Sequence, residues 1–202
     1  DMLSFPKREI VNFMIRHVKK MVPAYALPGA VNFRDALSIG RSAGFKPVEV
    51  KSSDLAFLQY TGGTTGVAKG AELTHRNMIA NVLQVSAWIS QRFKEGEETV
   101  LTALPLYHVF SLTATMVFTH WAAEMVLITN PRNLDSLAGE CVKHDVSVII
   151  GVNTLFAALL RNPVFKRAKL KRLKLTCGGG AQVQKVVAEE WLPQTQCPIL
   201  EA

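Results

Sequence analysis

The chain reads as an α/β protein, a mostly parallel sheet with helices on both faces. Three observations predict this. From Leu55 onward, short apolar runs alternate with stretches of helical period. The runs are continuous rather than alternating, as strands covered on both faces are. Turns bearing glycine, proline or asparagine separate the two kinds of segment.

The elements follow in order. Ile10, Val11, Phe13, Met14, Val18, Met21 and Val22 recur at helical spacing with charges between them. They predict an amphipathic helix of about four turns, at ~3.6 residues per turn, that ends at Pro23. Residues 32–44 predict a second short helix, with Gly40 and Gly44 near its end, and residues 46–54 a polar link. Strands are expected at 55–60, 99–103, 125–129, 146–150, 173–177 and 198–200. Helices are expected between them at 74–93, 109–122, 133–144, 153–161 and 183–191, with Thr74, Asn133 and Asn153 as candidate N-caps. Residues 1–54 thus form a helical lead-in and connector, and residues 55–202 an α/β subdomain. No internal repeat or low-complexity segment breaks the pattern.

With 202 residues, 49% of them hydrophobic, the chain suits one domain or one and a half with a sizeable core. No charged segment followed by an apolar core opens it, so no secretory leader is expected. The apolar stretch 112–128 is broken by His120, Glu124 and several threonines, and reads as a helix plus a strand, not a membrane span. The three cysteines, Cys141, Cys177 and Cys197, are odd in number and fit no zinc spacing. They point to free thiols in a reducing, cytoplasmic setting, with Cys177 packed in a strand.

The net charge of +7 is localised. Residues 161–174 carry seven bases and no acid, residues 7–20 a net +4, and the remainder −4. Two readings stand: solvated basic faces, or attraction to an anionic membrane surface, which would seat the protein peripherally on the inner face of the membrane. No nucleic-acid motif or aromatic interleaving supports a nucleic-acid partner. Nothing in the sequence sets an oligomeric state.

Residues 60–70 read Tyr-Thr-Gly-Gly-Thr-Thr-Gly-Val-Ala-Lys-Gly. Glycine lets backbone approach an anion, successive N–H groups form a concave anion site, and threonine hydroxyls and lysine add donors and charge. Two common nucleotide loops are excluded. A Walker loop needs Lys directly after the last Gly, but Ala68 intervenes and Gly70 follows Lys69. The spacing of Gly62, Gly63 and Gly66 does not make the dinucleotide fingerprint. An anion cradle between strand and helix, or a flexible turn without ligand, remain as readings.

Two further segments follow predicted strands. In Leu104-Pro105-Leu106-Tyr107-His108, proline stops the strand and His108 opens a helix near its positive end, where it could meet a carboxylate or be satisfied by backbone. Gly178-Gly179-Gly180-Ala181 offers bare backbone to a flat ligand, or is a strand-to-helix turn. Ligands in parallel sheets lie beyond the carboxyl ends of the strands, so all three segments are expected along one sheet edge.

The three segments, in this order, resemble motifs of the AMP-forming adenylating enzymes: acyl-CoA synthetases, luciferases and peptide-synthetase adenylation domains. Residues 60–70 resemble that family's phosphate loop, residues 104–108 its next core motif, and residues 178–181 its adenine- and acyl-site segment. The likeness is nearest to bacterial long-chain fatty-acid–CoA ligases. There it also takes in residues 54–60, residues 73–78 and Gly151-Val152-Asn153-Thr154-Leu155-Phe156.

The resemblance implies part of the large N-terminal domain of an acyl-CoA synthetase fold. It implies two steps: a fatty acid reacts with ATP and Mg2+ to give acyl-AMP and pyrophosphate, then CoA displaces AMP. In that picture Tyr60, Thr61, Gly62, Gly63, Thr64, Thr65, Gly66, Lys69 and Gly70 hold the phosphates, Thr61 being the metal-side hydroxyl. His108 and Lys69 serve the chemistry, and Gly178, Gly179, Gly180 and Ala181 flank adenine and acyl carbonyl. Helix 109–122 and residues 151–156 are expected to form the acyl pocket. Ala68 stands where many family loops have proline, as in some bacterial fatty-acid ligases. The family continues past Glu201-Ala202 into a segment whose Glu helps bind Mg2+, then a hinge and a mobile domain with a catalytic lysine. The chain is therefore expected to be an internal fragment, inactive alone. Another acyl or aryl acid ligase, or a non-catalytic nucleotide- or membrane-binding module, are the competing functions.

Overall fold

The computed structural model describes residues 4–24, 26–61 and 68–202. It divides into two compact units, Asp1–Glu49 and Val50–Ala202.

In the first unit, helix α1 (Lys7–Phe13) runs into a π-helical turn, Met14–Val18. The predicted four-turn helix therefore ends earlier than Pro23. The Lys19 N–H bonds back to the Met14 carbonyl, and Lys20 adopts a left-handed φ of 47°, which terminates the helix. Helix α2 (Phe33–Ala43) is capped by Asn32, whose side chain accepts the Arg34 N–H at 3.0 Å. It stops at Gly44, φ 71°, a conformation that favours glycine.

The second unit holds two sheets. Strands β1 (Leu55–Thr61) and β2 (Lys69–Thr74) form an antiparallel hairpin, with Tyr60 opposite Gly70 and Thr61 opposite Lys69. This corrects two expectations: strand 55–60 does not join the parallel sheet, and residues 60–70 lead into a second strand before any helix. Helix α3 (His75–Ile89) follows at once. Its Thr74 cap is a reciprocal box, with Thr74 Oγ1 accepting the Asn77 N–H at 3.2 Å and Asn77 Oδ1 accepting the Thr74 N–H at 3.0 Å.

The main sheet contains β3 (Thr99–Thr102), β4 (Glu124–Leu127), β5 (Val148–Gly151), β6 (Leu175–Gly178) and β7 (Ile199–Glu201), all parallel, in the order β4-β3-β5-β6-β7. Between the strands lie α4 (Val109–His120), α5 (Leu134–Lys143), α6 (Asn153–Arg161), the short α7 (Pro163–Arg167) and α8 (Lys185–Thr195). The α7 turn was not expected; Asn162 caps it by accepting the Val164 and Phe165 N–H groups.

Alternate strand residues point to opposite faces. Val100, Val148, Ile150 and Leu175 pack with Val82 of α3 and Val117 and Phe118 of α4. Leu101, Val126 and Ile149 pack with Leu137, Phe156, Leu159 and Trp191 of α5, α6 and α8. The fully buried Trp191 ring lies 5.0 Å from Phe156 and 5.2 Å from Phe165, and its Nε1–H donates to Thr176 Oγ1 at 3.2 Å. Polar ties close the other end of the sheet: Glu98 is buried just before β3, and its Oε1 receives Lys174 Nζ at 2.6 Å. Burial raises the Glu98 carboxyl pKa, but hydrogen bonds from Lys174, Ser147 and the Lys94 backbone outweigh this and hold it below the usual 4.5. Among the described residues no helix is long and apolar enough to cross a membrane.

Candidate active site at the carboxyl edge of the sheet

Strand order decides where a ligand can enter. The chain begins the sheet at β3, steps outward to β4, then returns to the other side of β3 with β5. The order therefore reverses at the β3/β5 boundary, where connections leave in opposite directions and open a crevice. Leu104 and Pro105 follow β3 there, Val152 follows β5, and residues 179–181 follow β6. They line a cavity of about 250 Å3 together with His108 and Phe110. Segments 104–108 and 178–181 thus share one edge, as the strand pattern implied. The β1–β2 hairpin supplies none of that cavity's described lining.

His108 is the N-cap of α4. Its own N–H donates to the Pro105 carbonyl at 3.0 Å, closing the turn after β3. Its Nδ1 accepts the Phe110 N–H at 3.3 Å. In the neutral ring this bond places the proton on Nε2 and leaves that nitrogen as a donor. The side chain thus caps a helix through one ring nitrogen and, in that tautomer, carries its proton on the other.

The glycines at the end of β6 do different work. A Cβ at Gly178 would sit 2.7 Å from Val183 Cγ2, and one at Gly179 2.8 Å from the Phe110 ring. Their missing side chains make room for neighbours. Gly180 has φ 79° and only Val152 Cγ1, at 3.9 Å, near its missing Cβ, so it is the glycine that leaves open backbone beside Ala181.

On the face of the sheet covered by α3 and α4 lies a second, apolar cavity of about 430 Å3. Phe110, Thr113, Ala114 and Val117 of α4 line it at helical spacing, with Val85 and Ile89 of α3 and Ile150 and Cys177 of the strands. Val152, Thr154 and Leu155 of the segment 151–156 line a third cavity, of about 440 Å3, with Arg132. Phe110 was not singled out from the sequence, although it touches both the edge cavity and the apolar one. Burial raises the Cys177 thiol pKa, consistent with a packing role.

Where β1 ends and β2 begins, Lys69 and Gly70 are exposed, and the exposed Tyr60 ring lies 3.4 Å from where a Gly70 Cβ would be. Gly62, Gly63, Thr64, Thr65 and Gly66 lie outside the described residues, as does the Thr61 side chain assigned to the metal. Among the described residues no three His, Cys, Asp or Glu side chains group as metal ligands.

The sequence profile of the AMP-binding enzyme family matches residues 6–202. The chain belongs to that family. It is 49% identical over 202 residues to the long-chain-fatty-acid–CoA ligase of Salmonella typhimurium, aligning along all of this chain and 36% of that protein. A long-chain-fatty-acid–CoA ligase of Bacillus subtilis is 36% identical over 149 residues, 73% of this chain and 26% of its own length. The chain thus spans about a third of the length of the curated relatives it matches. Among solved structures, apo MatB from Rhodopseudomonas palustris superposes with TM-score 0.65 at 27% identity, covering 78% of this chain and 30% of that one. The MenE o-succinylbenzoate CoA synthetase of Bacillus subtilis, in complex with its acyl-adenylate intermediate, gives TM-score 0.64 at 25% identity, covering 74% and 29%. The fold of this chain is therefore shared with part of each of these structures.

Proposed function

We propose that the protein carrying this chain is a long-chain fatty-acid–CoA ligase of the AMP-binding enzyme family. One observation carries the reading: a cavity with a hydrogen-bond donor and open backbone adjoins an apolar cavity of about 430 Å3, with Phe110 in the wall of both. A carboxylate with an alkyl tail needs such a pair. Cavities of ~300–1,000 Å3 with few polar groups are the usual small-ligand sites.

In the first step a fatty-acid carboxylate oxygen bonds to the α-phosphorus of ATP, and the bond to pyrophosphate breaks. In the second, the CoA sulfur bonds to the acyl carbonyl carbon and AMP leaves. Neither step needs a protein nucleophile; positioning and neutralisation of phosphate charge carry the rate. His108 Nε2–H donates to the carboxylate or α-phosphate oxygens. Tyr60, Thr61, Gly62, Gly63, Thr64, Thr65, Gly66, Lys69 and Gly70 cradle the outer phosphates. Gly180 and Ala181 present backbone to adenine and the acyl carbonyl, while Gly178 and Gly179 let their strand end pack closely. Mg2+ accompanies ATP and neutralises phosphate charge.

Lys69→Ala should raise the KM for ATP tenfold or more, a loss of about 1.4 kcal/mol, with the fatty-acid KM moving far less. Unchanged ATP kinetics would remove Lys69 from the site.

The basic segment suits a peripheral seat on an anionic membrane, where a long-chain acid partitions. Lys166, Arg167, Lys169 and Lys171 are exposed along α7 and the turn after it, whereas Lys174 is held by Glu98 and Arg172 donates to the Glu97 carbonyl. Each free base is worth ~1 kcal/mol near such a surface. Vesicle binding that ignores anionic lipid content would remove this seat.

A further inference from the structure

The edge cavity and the apolar cavity meet at one side chain. Among the described residues, Phe110 alone lines both. Its backbone is fixed in the first turn of α4, where its N–H donates to His108 Nδ1 at 3.3 Å. Its ring lies flat against Gly179: a Cβ there would stand 2.8 Å from Cζ and 2.9 Å from Cε1 and Cε2. Gly179 is in turn anchored, its N–H donating to the Gly151 carbonyl at 3.2 Å. Both sides of the contact are thus pinned to rigid elements, the α4 N-terminus and the end of β6.

We propose that Phe110 and Gly179 form a neck that selects acids unbranched beside the carboxyl group. The inference deepens the ligase reading and rests on it. A substrate whose carboxylate lies by His108 and whose tail fills the apolar cavity passes the Phe110 ring with its first few carbons. An unbranched chain needs only a thin passage along the ring. A methyl on the carbon next to the carboxylate, or an aryl group there, needs the volume the ring occupies. Well-packed interiors resist one extra methyl, and such steric rejection is worth about 10–200-fold in selectivity. Gly179 sets the position of the ring. Any side chain at 179 pushes the ring off the strand end and into the passage. Selection therefore comes from a built-in clash against the wrong acid, added to apolar contact with the right one.

The test uses the full-length protein and measures kcat/KM for hexadecanoate and 2-methylhexadecanoate, with the KM for ATP alongside. Wild type is expected to favour the straight acid by about 10-fold or more. Phe110→Ala should shrink that ratio at least fivefold, mainly by raising the branched acid, and Phe110→Leu should do so less. Gly179→Ala should lower kcat/KM for hexadecanoate about tenfold. Phe110→Ala combined with Gly179→Ala should recover most of that loss, because the clashing ring is gone. Thermal midpoints confirm that each variant is folded. An unchanged straight-to-branched ratio in both Phe110 variants, or a double variant no better than Gly179→Ala alone, would overturn the neck. Failure of the fatty-acid reading looks different: wild type then leaves hexadecanoate unreacted while activating another acid. The same ratio measured with that acid and its 2-methyl homologue still decides the neck.

Discussion

Replacing Lys174 with methionine tests how the base of the sheet is held. Glu98 has 0% of its side chain exposed and Lys174 has 35%, with 2.6 Å between Lys174 Nζ and Glu98 Oε1. Methionine keeps the length of the lysine stem but removes the charge, leaving a buried carboxylate without its counter-ion. Removing one partner of a buried pair costs about 3–5 kcal/mol. The part-exposed ammonium was already partly solvated, which places this pair at the low end, about 3 kcal/mol. For a domain of this size, at ~2–4 °C per kcal/mol, the thermal midpoint should fall by about 6–12 °C. Denaturant unfolding followed by tryptophan fluorescence reads the loss, since Trp191 is buried. The pH dependence supplies a second readout. The folded Glu98 carboxyl lies below its usual 4.5, so its stabilisation is present above that value and is lost as pH falls through the lowered folded pKa. The gap between wild type and Lys174→Met should therefore be full at pH 7 and narrow below about 4.5. A gap under 1 kcal/mol at ~pH 7, or one constant down to ~pH 3.5, would show that Lys174 does not hold the Glu98 carboxylate in the folded protein.

Gly178→Ala should cost about 1–3 kcal/mol in unfolding free energy, because the new Cβ falls 2.7 Å from Val183 Cγ2 and 3.2 Å from Ile199 Cγ2. An equal or higher denaturation midpoint would show that the end of β6 can shift. Cys141 is fully buried, and burial pushes its thiol up to about 12. It should resist a thiol reagent at pH 8 in the folded protein and react promptly in denaturant; labelling at 141 without denaturant would contradict that packing. Thr74→Ala removes the reciprocal cap of α3 and should cost about 1 kcal/mol, measurable by denaturant melts, while Thr74→Asn should restore most of it.

Periodicity exposed the parallel sheet because its strands are covered on both faces and so read as continuous apolar runs. Strand β2 escaped. Its Lys-Gly-Ala-Glu-Leu-Thr stretch is mostly exposed and is held as a strand by backbone pairing to β1, not by an apolar face. Asn153 looked like a helix cap, but its Oδ1 accepts the Gln184 N–H at 2.9 Å, a partner 31 residues away that no local rule could supply. Helix α7 begins with Asn-Pro, which marks a turn as readily as a helix start. At the site, residues 104–108 and 178–181 were legible because they follow strands of one sheet. The Phe110–Gly179 contact joins residues far apart in sequence, and only the fold brings them together. It is also the contact that turns three glycines in a row from a generic turn into residues with separate jobs.

The most direct measurement is exchange of radiolabelled pyrophosphate into ATP by the full-length protein, with and without hexadecanoate. A long-chain fatty-acid ligase should show exchange that needs the acid, rises with alkyl chain length as the apolar cavity fills, and precedes acyl-CoA formation when CoA is added. Exchange that is absent with every long-chain acid, or that is supported equally by short aryl acids, would contradict that reading.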